Sequence, residues 1–529
     1  MTLADELAQL SPAALLARAL AIIAAKDQII ITKEQFIEHQ AAALQNADIK
    51  IKALTYELAY KNRALFGTSS ESMTPEQYDF FKESMAADLA AIEAELEIEQ
   101  TKLAAIIGSE VKKPRIRAGR QALPAHLPRI VHRHEPESCT CSECHSPLVQ
   151  VSEDVSEQLD VEPAKFVVHQ HIRPQYACKQ CQTMTAAPVP AAIIDGGMAT
   201  TGLLAWVAIV KYADHLPLYR IEQMAAREGV ILAKSTLCEW IGKIGVALQP
   251  LIDRLAELML ERQILHADET PIRQLDPGAG KTKRAYLWAY RTADFSHEPR
   301  IVLFDYQASR AGQCARDFLG DWRGVLMVDD YGAYKALFRQ GVTELGCWAH
   351  ARRNFYKLTV DAQVKSPIAL EAVQRIGALY QIERDAQNMT NEERLALRQT
   401  QAVPLLVSLH VWLKESRAVV VGADLTKAFD YLLKRWDAFA CYVESGEYPI
   451  DNNPVENNIR PIAIGKKNWL FAGSERAGKR AAAIQSLLAT AKLNGLDPAK
   501  WLNDTLAKLP TWPYARLDEL LPLREFSTA

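Results

Sequence analysis

Between residues 263 and 360 the chain alternates short apolar runs with amphipathic stretches in one fixed order. "QILHADET", "AYLWAYRT" and "RIVLFDY" read as three strands. "AGQCARDFLG" reads as a helix, "GVLMVDDYGAY" as a strand running into a helix, and "TELGCWAH" as a strand leading into the helix "ARRNFYKL". Adjacent strands followed by alternating strand–helix units predict a mixed α/β sheet. Two of these strands end in acid, Asp268 after "ILHA" and Asp329 after "VLMV". Strand ends along one edge of such a sheet are where ligands gather. Each acid is followed by another, Glu269 and Asp330, and successive residues of a strand face opposite sides, so one of each pair is expected in the site. Asp268 is chosen as the first acid after its apolar run, and Asp329 because it directly follows "VLMV".

Residues 360–446 carry no strand signal and read as a helical insertion. Mixed texture returns at Tyr448, and residues 451–473 read "DNNPVENNIRPIAIGKKNWLFAG". One carboxylate, Glu456, stands there among five asparagines, ahead of Arg460, Lys466 and Lys467. A local reading makes Asn453 a helix cap, with Pro454 in the first turn and Glu456 closing a capping box. The functional reading adds Glu456 to Asp268 and Asp329 as oxygen ligands for hard cations. Paired Mg²⁺ ions (or Mn²⁺) at such a site clamp the attacking and leaving oxygens of a phosphoryl displacement. Asp268 would then bridge two ions, with Asp329 and Glu456 taking one each, while Arg460, Lys466 and Lys467 would hold DNA phosphates. Trp469 and Phe471 could stack on an unpaired base or pack in the core.

The rest of the 529 residues leave room for further domains. Residues 1–107 read as helix, with apolar residues at sevenfold spacing (Ile23, Ile30, Ile37, Leu44, Ile51, Leu58, Leu65) and a second run of Met85, Leu89, Ile92, Leu96, Leu103 and Ile106. "FGTSSESMTP" separates them, so the pair either folds into a hairpin or zips against another subunit as a leucine-zipper-like oligomerisation region. Residues 108–137 read as a basic linker. Net charge is −3, yet Lys112 to Arg133 holds seven basic residues and no acid, a run including Lys113, Arg115 and Arg117 that suits a DNA backbone. Residues 138–190 contain two CxxC pairs, Cys141/Cys144 and Cys178/Cys181. Four thiolates so paired suit a structural Zn²⁺, a hairpin or loop filling the long gap between them. Cys139 or His145 could replace one ligand. Nine cysteines, an odd count, argue for metal binding in a reducing compartment, with the protein in the cytoplasm. Apolar runs are too short to span a membrane. Within residues 200–250, "LYRIEQMAAREGVILAKSTLCEWIGKIG" has the spacing of a helix-turn-helix, turning at Glu228-Gly229 with Ser235 as the second cap.

"HADETPIR", "VDDYGAY", "CWAHARRNFYKL" and "DNNPVENNIRPIAIGKKNWLFAGSERAG" closely resemble the large transposase (TnpC) of the insertion-sequence-66 family of bacterial DDE transposases. The resemblance extends over nearly the whole chain. It implies an RNase H-like catalytic domain over 260–480, with the helical insertion before the last acid, and a C-terminal helical segment over 481–529. It implies Asp268, Asp329 and Glu456 as the catalytic triad, although Asp330 stands where the family usually has glycine. "CWAH" resembles a Cys-x-x-His signature, which makes Cys347 and His350 secondary candidates beside a core-packing reading. Implied partners are transposon ends and target DNA, further copies of the chain, and the accessory proteins TnpA and TnpB. The implied activity is metal-dependent cleavage at terminal inverted repeats followed by strand transfer. A nuclease that cuts without joining, or a non-enzymatic zinc and helix-turn-helix DNA-binding regulator, are the alternatives.

Overall fold

Continuous buried runs, Ile264–Ala267 and Leu287–Thr292, set the central sheet, whose middle strands are covered on both faces. The computed structural model describes residues 44–58, 88–101, 127–135, 146–162, 165–276, 281–295, 298–360, 366–420 and 422–523, with a few single positions between them. Cys139, Cys141, Cys144, His145, Lys112, Lys113, Arg115 and Arg117, and the heptad positions Ile23, Ile30, Ile37, Leu65, Met85 and Ile106, lie outside the described residues. Two units are resolved in the chain. In the first, the helical stretches around 44–58 and 92–101 bury Leu54 against Ile92 and Leu96, flanked by Ile51 and Leu58. Lys50 and Glu99 join them with an ion pair of 2.8 Å.

The second unit opens with strand β1 (Arg129–Arg133), followed by β2 (Val149–Glu162), β3 (Lys165–Ala177) and β4 (Met184–Ala186). These form a small sheet in the order β1-β3-β2, with β4 also on β3. The expected linker over 108–137 therefore needs correcting at its end, because residues 129–133 pair in parallel with residues 168–172. Alternating side chains, with His132 on the face it shares with His169 and His171, make that segment a strand despite its basic residues. A β2–β3 hairpin fills the gap between the CxxC pairs, and "FVVHQHI" and "PQYAC" belong to one continuous strand.

Three helices follow: α1 (Thr201–Tyr212), α2 (Leu218–Arg227) and α3 (Lys234–Leu260). The α2–α3 turn does fall at Glu228-Gly229, with Gly229 at φ 73°. Ser235 is not the cap, however: α3 begins at Lys234, with Ala233 before it and no side-chain cap. Eleven of its residues are buried, from Leu237 to Met259, so α3 serves as a core strut along most of its length.

The central sheet contains β5 (Ile264–Asp276), β6 (Lys281–Thr292), β7 (Val302–Gln307), β8 (Val325–Val328) and β9 (Thr343–Gly346), with helix α4 (Gly312–Leu319) between β7 and β8. Its order is β7-β6-β5-β8-β9. The first three strands are antiparallel neighbours, whereas β5, β8 and β9 run parallel. Helices α5 (Trp348–Val360), α6 (Pro367–Asp385), α7 (Val403–Val419) and α8 (Ala423–Leu433) come next, and every described element from Trp348 to Glu444 is helical. They close around Trp348, Phe355, Ile376, Leu413, Phe429 and Phe439. Buried Arg398, paired with Glu383 at 2.7 Å and donating to the Tyr442 carbonyl at 3.0 Å, ties the layers together.

The chain returns to the sheet as α9 (Asn453–Trp469), then α10 (Glu475–Leu493) and α11 (Pro498–Lys508). Helix α10 crosses the expected boundary at 480/481 and seals the edge of β7. Buried Ser486 and Thr490 accept the Phe304 and Val302 amides at 2.7 and 3.1 Å, satisfying an edge that would otherwise be open. It ends at Asn494-Gly495, as the sequence predicts, with Gly495 at φ 68°. No described helix is long and apolar enough to cross a membrane.

Candidate active site

Strand β5 does not stop at Asp268. It continues to Asp276, because "ETPIRQLD" pairs residue for residue with the first half of β6. Its parallel pairing with β8, however, ends at His266, opposite Met327. Asp268 thus stands just past the point where β5 and β8 part, and Asp329 is the first residue after β8. Glu456 enters from the first turn of α9. Asp268 feels the charges of both Asp329 and Glu456. Burial first, then the charges of Glu269, Asp329 and Glu456, push the Asp268 carboxyl up to about 8, against one amide hydrogen bond of 2.8 Å from Glu269.

Strand alternation separates the first pair of acids, and the turn after β8 separates the second. Glu269 turns away, buried against Arg310 at 2.8 Å and accepting the Tyr334 hydroxyl at 3.1 Å. Asp330 is exposed and lies 3.5 Å from Arg435. Asp329 instead folds over its own turn, accepting the Tyr331 amide at 2.8 Å. Arg435, from the helical layer, donates to the Asp329 carbonyl at 3.1 Å and holds Glu344 at 2.7 Å. The insertion therefore grips the loop that carries the second acid.

The capping-box reading of Glu456 does not hold. Helix α9 starts at Asn453 itself, and the residue at the cap is Asn452, whose side chain makes no capping bond. That side chain is fully buried and is used elsewhere. Its amide donates to the Ala267 carbonyl at 2.9 Å, so its oxygen faces His266 Nδ1 at 3.0 Å. The backbone N–H of Asn452 donates to Cys347 Sγ at 3.2 Å. Asn452 thus locks the start of α9 to the residues just before Asp268 and to the end of β9. Burial, with help from Arg291, lowers His266 to about 4, so the ring is neutral and carries its proton on Nδ1.

Around Glu456, Arg353 lies at 3.4 Å and His350 Nδ1 at 3.6 Å, and Oε1 is buried without a hydrogen-bond partner. Cys347, His350 and Glu456 offer ligand atoms that all lie within 4.8 Å of one another. Burial pushes the Cys347 thiol up to about 12, so at neutral pH it is a protonated partner of His350 (3.2 Å) and of the Asn452 amide. Burial also lowers His350, with Glu456 opposing and Arg353 reinforcing.

Of the basic candidates, Arg460 and Lys467 are exposed. Lys466 bends inward to the Pro271 carbonyl at 2.9 Å, which makes it a brace between α9 and β5. Phe471 is buried, so its role is packing. In the small sheet, Cys178 is buried at the end of β3 and Cys181 is exposed, joined by a tight knuckle in which Gln182 turns at φ 59°. Sequence reasoning missed Asn452, His266, Arg353 and Arg435. The one available hint was His266, two residues before Asp268 and therefore on the same face of β5.

A family model described as "Transposase IS66 family" matches residues 196–480, more than half of the chain and all three carboxylates. The chain belongs to the IS66 transposase family. Further models for this family match 138–182 (zinc-finger binding domain of transposase IS66), 486–523 (IS66 C-terminal element) and 53–131 (Transposase C of IS166 homeodomain). The homeodomain match lies N-terminal to the α2–α3 turn, which falls inside the IS66 transposase match. Similar proteins come from Sinorhizobium fredii. Uncharacterized protein y4qI is 36% identical over 91% of this chain and 90% of its own length. Uncharacterized protein y4jD is 37% identical over 76% and 81%, respectively.

Proposed function

We propose that this IS66-family chain is the DNA-cleaving and DNA-joining enzyme of a bacterial insertion sequence, a DDE transposase with an RNase H-like core. The observation that carries the reading is the placement of Asp268 and Asp329 where parallel β5 and β8 part, with Glu456 in the first turn of the helix that Asn452 fastens to β5. The 3-2-1-4-5 strand order, antiparallel then parallel, supports the fold assignment. Three carboxylates, one with a buried oxygen lacking a partner, fit a hard divalent cation such as Mg²⁺. Cations bound there would polarise the scissile phosphodiester and activate water or a 3′-hydroxyl. The chain's own groups divide the remaining work. Asp268 would hold a cation as its carboxylate, Asn452 and Arg353 hold Glu456 in place, and Arg435 fixes the Asp329 loop. Cys141, Cys144, Cys178 and Cys181 are proposed as a structural Zn²⁺ site, with element ends and target DNA as substrates, further copies of the chain in the complex, and TnpA and TnpB as accessory partners.

Glu456→Gln keeps the shape of the side chain and removes its charge. The expected product is folded, binds element ends, and neither nicks nor joins them in Mg²⁺. Asp268→Asn and Asp329→Asn should match it, while Asp330→Asn and Glu269→Gln retain more activity. Near-normal nicking by Glu456→Gln would end the DDE reading. Nicking without labelled strand-transfer products in the parent protein would favour a nuclease.

A further inference from the structure

The outer half of the β5–β6 hairpin reaches beyond its neighbours. Strand β7 pairs only with residues 286–291 and β8 only with 264–266, leaving 272–276 and 281–285 as a two-stranded arm. Leu470 ends α9 at φ 63° and turns the chain back on this arm, where Ala472 exchanges backbone bonds with Arg273 and Leu275 at 2.8 and 2.9 Å. Between the arm and the end of α9 lies an open groove lined by Arg273, Lys281, Arg284, Lys466 and Lys467 and by no acid. Arg273 and Arg284 are direct cross-strand partners. Like charges so placed, with Cβ atoms about 5 Å apart, destabilise a hairpin unless something else neutralises them. No carboxylate does so among the described residues: Arg273, Arg284, Lys281 and Lys467 form no ion pair, and Asp276, opposite Lys281, makes none either.

We propose that this groove is a binding site for the phosphate backbone of duplex DNA flanking the scissile bond. It rests on the transposase reading above. Arg273 lies five residues beyond Asp268 on β5, about 17 Å along the strand, and by alternation faces the other side of the hairpin, so the groove grips duplex to one side of the carboxylates and not directly over them. Duplex fits better than single strand, because the groove's one aromatic, Phe471, is buried and gives an unpaired base no stacking platform. Backbone contact implies a grip independent of sequence, positioning the cut without choosing it.

The test uses the full chain carrying Arg273→Ser and Arg284→Ser together. Binding is titrated against salt on a labelled duplex of the element's end, on an unrelated duplex, and on the corresponding single strand. The slope of log K against log salt should become shallower by about 1.8 on both duplexes, at about 0.9 for each lost phosphate contact. Discrimination between the two duplexes should not change, thermal stability should hold or rise, and Arg273→Lys with Arg284→Lys should restore the slope. An unchanged duplex slope, or a loss confined to the single strand, overturns the proposal. A parent protein that binds duplex with the expected slope yet never nicks it would sink the catalytic reading and leave the groove standing.

Discussion

Replacing Asn452 by alanine removes the side chain that holds α9 against β5. Two buried groups lose their partners, the Ala267 carbonyl (2.9 Å) and His266 Nδ1 (3.0 Å). His266 Nε2 already lacks one, so the ring would be left with none. Each orphaned buried group costs about 1–3 kcal/mol, so the substitution should cost about 4 kcal/mol, a large part of a typical domain stability of about 5–15 kcal/mol. Exposed Asn457, one turn into the same helix, is the control, and Asn457→Ala should stay within about 0.5 kcal/mol. Urea denaturation followed by tryptophan fluorescence reads the stability, and Mn²⁺ titration of the folded protein reads the site. Glu456 loses its register with Asp268 when α9 shifts, so Mn²⁺ affinity should fall as well. Equal stability and Mn²⁺ affinity in Asn452→Ala and Asn457→Ala would refute the clamp.

Stability of the metal-free protein should depend on pH in a definite direction. Asp268 holds a proton in the fold up to about 8 and loses it near the ordinary carboxylate value when unfolded, so the native state binds more protons and stability falls as pH rises. His266, lowered to about 4, acts the opposite way below its ordinary value, and the two offset one another between about 4 and 6.5. From pH 6.5 to 8 Asp268 acts without that offset, and a loss of about 2 kcal/mol is expected in urea midpoints, absent in Asp268→Asn and reversed by Mg²⁺. Freshly purified protein should carry about one zinc per chain by metal analysis, and Cys178→Ser should remove it and weaken DNA binding, since the thiol is buried at the end of β3.

The succession of strands and helices, the doubled acids and the CxxC spacing were readable because each is a local pattern. Alternation says that one acid of each pair faces the site, and the apolar neighbours are what favour Asp268 and Asp329. The cap was misread because five asparagines in one segment look alike, and only the partner strand decides which is buried. Helix α9 could start at either of two adjacent asparagines by propensity, and the His266 and Ala267 contacts select Asn452 for the buried place. The bracing contact of Lys466 was hidden for a related reason. A lysine late in a helix looks free to reach a phosphate until the Pro271 carbonyl appears beside it. Strand β1 was hidden because a run of basic residues resembles a linker, and its pairing partner is nearly forty residues away.

The bond between His266 and Asn452 joins residues 186 positions apart. Closing so long a loop is entropically late, and on the ribosome it must wait until the whole helical insertion has emerged. From the emergence of Asp329 until that of Asn452 and Glu456, the nascent chain therefore holds two of the three carboxylates and lacks the third, along with the clamp that orients it. A polypeptide cut short between Asp329 and Asn452 would keep the segments of the small sheet, the β5–β6 hairpin and both aspartates, without Glu456, its clamp or the Ala472 backing of the arm. On the proposed reading, a frameshift or stop within the insertion should therefore yield a chain that binds DNA without cutting it.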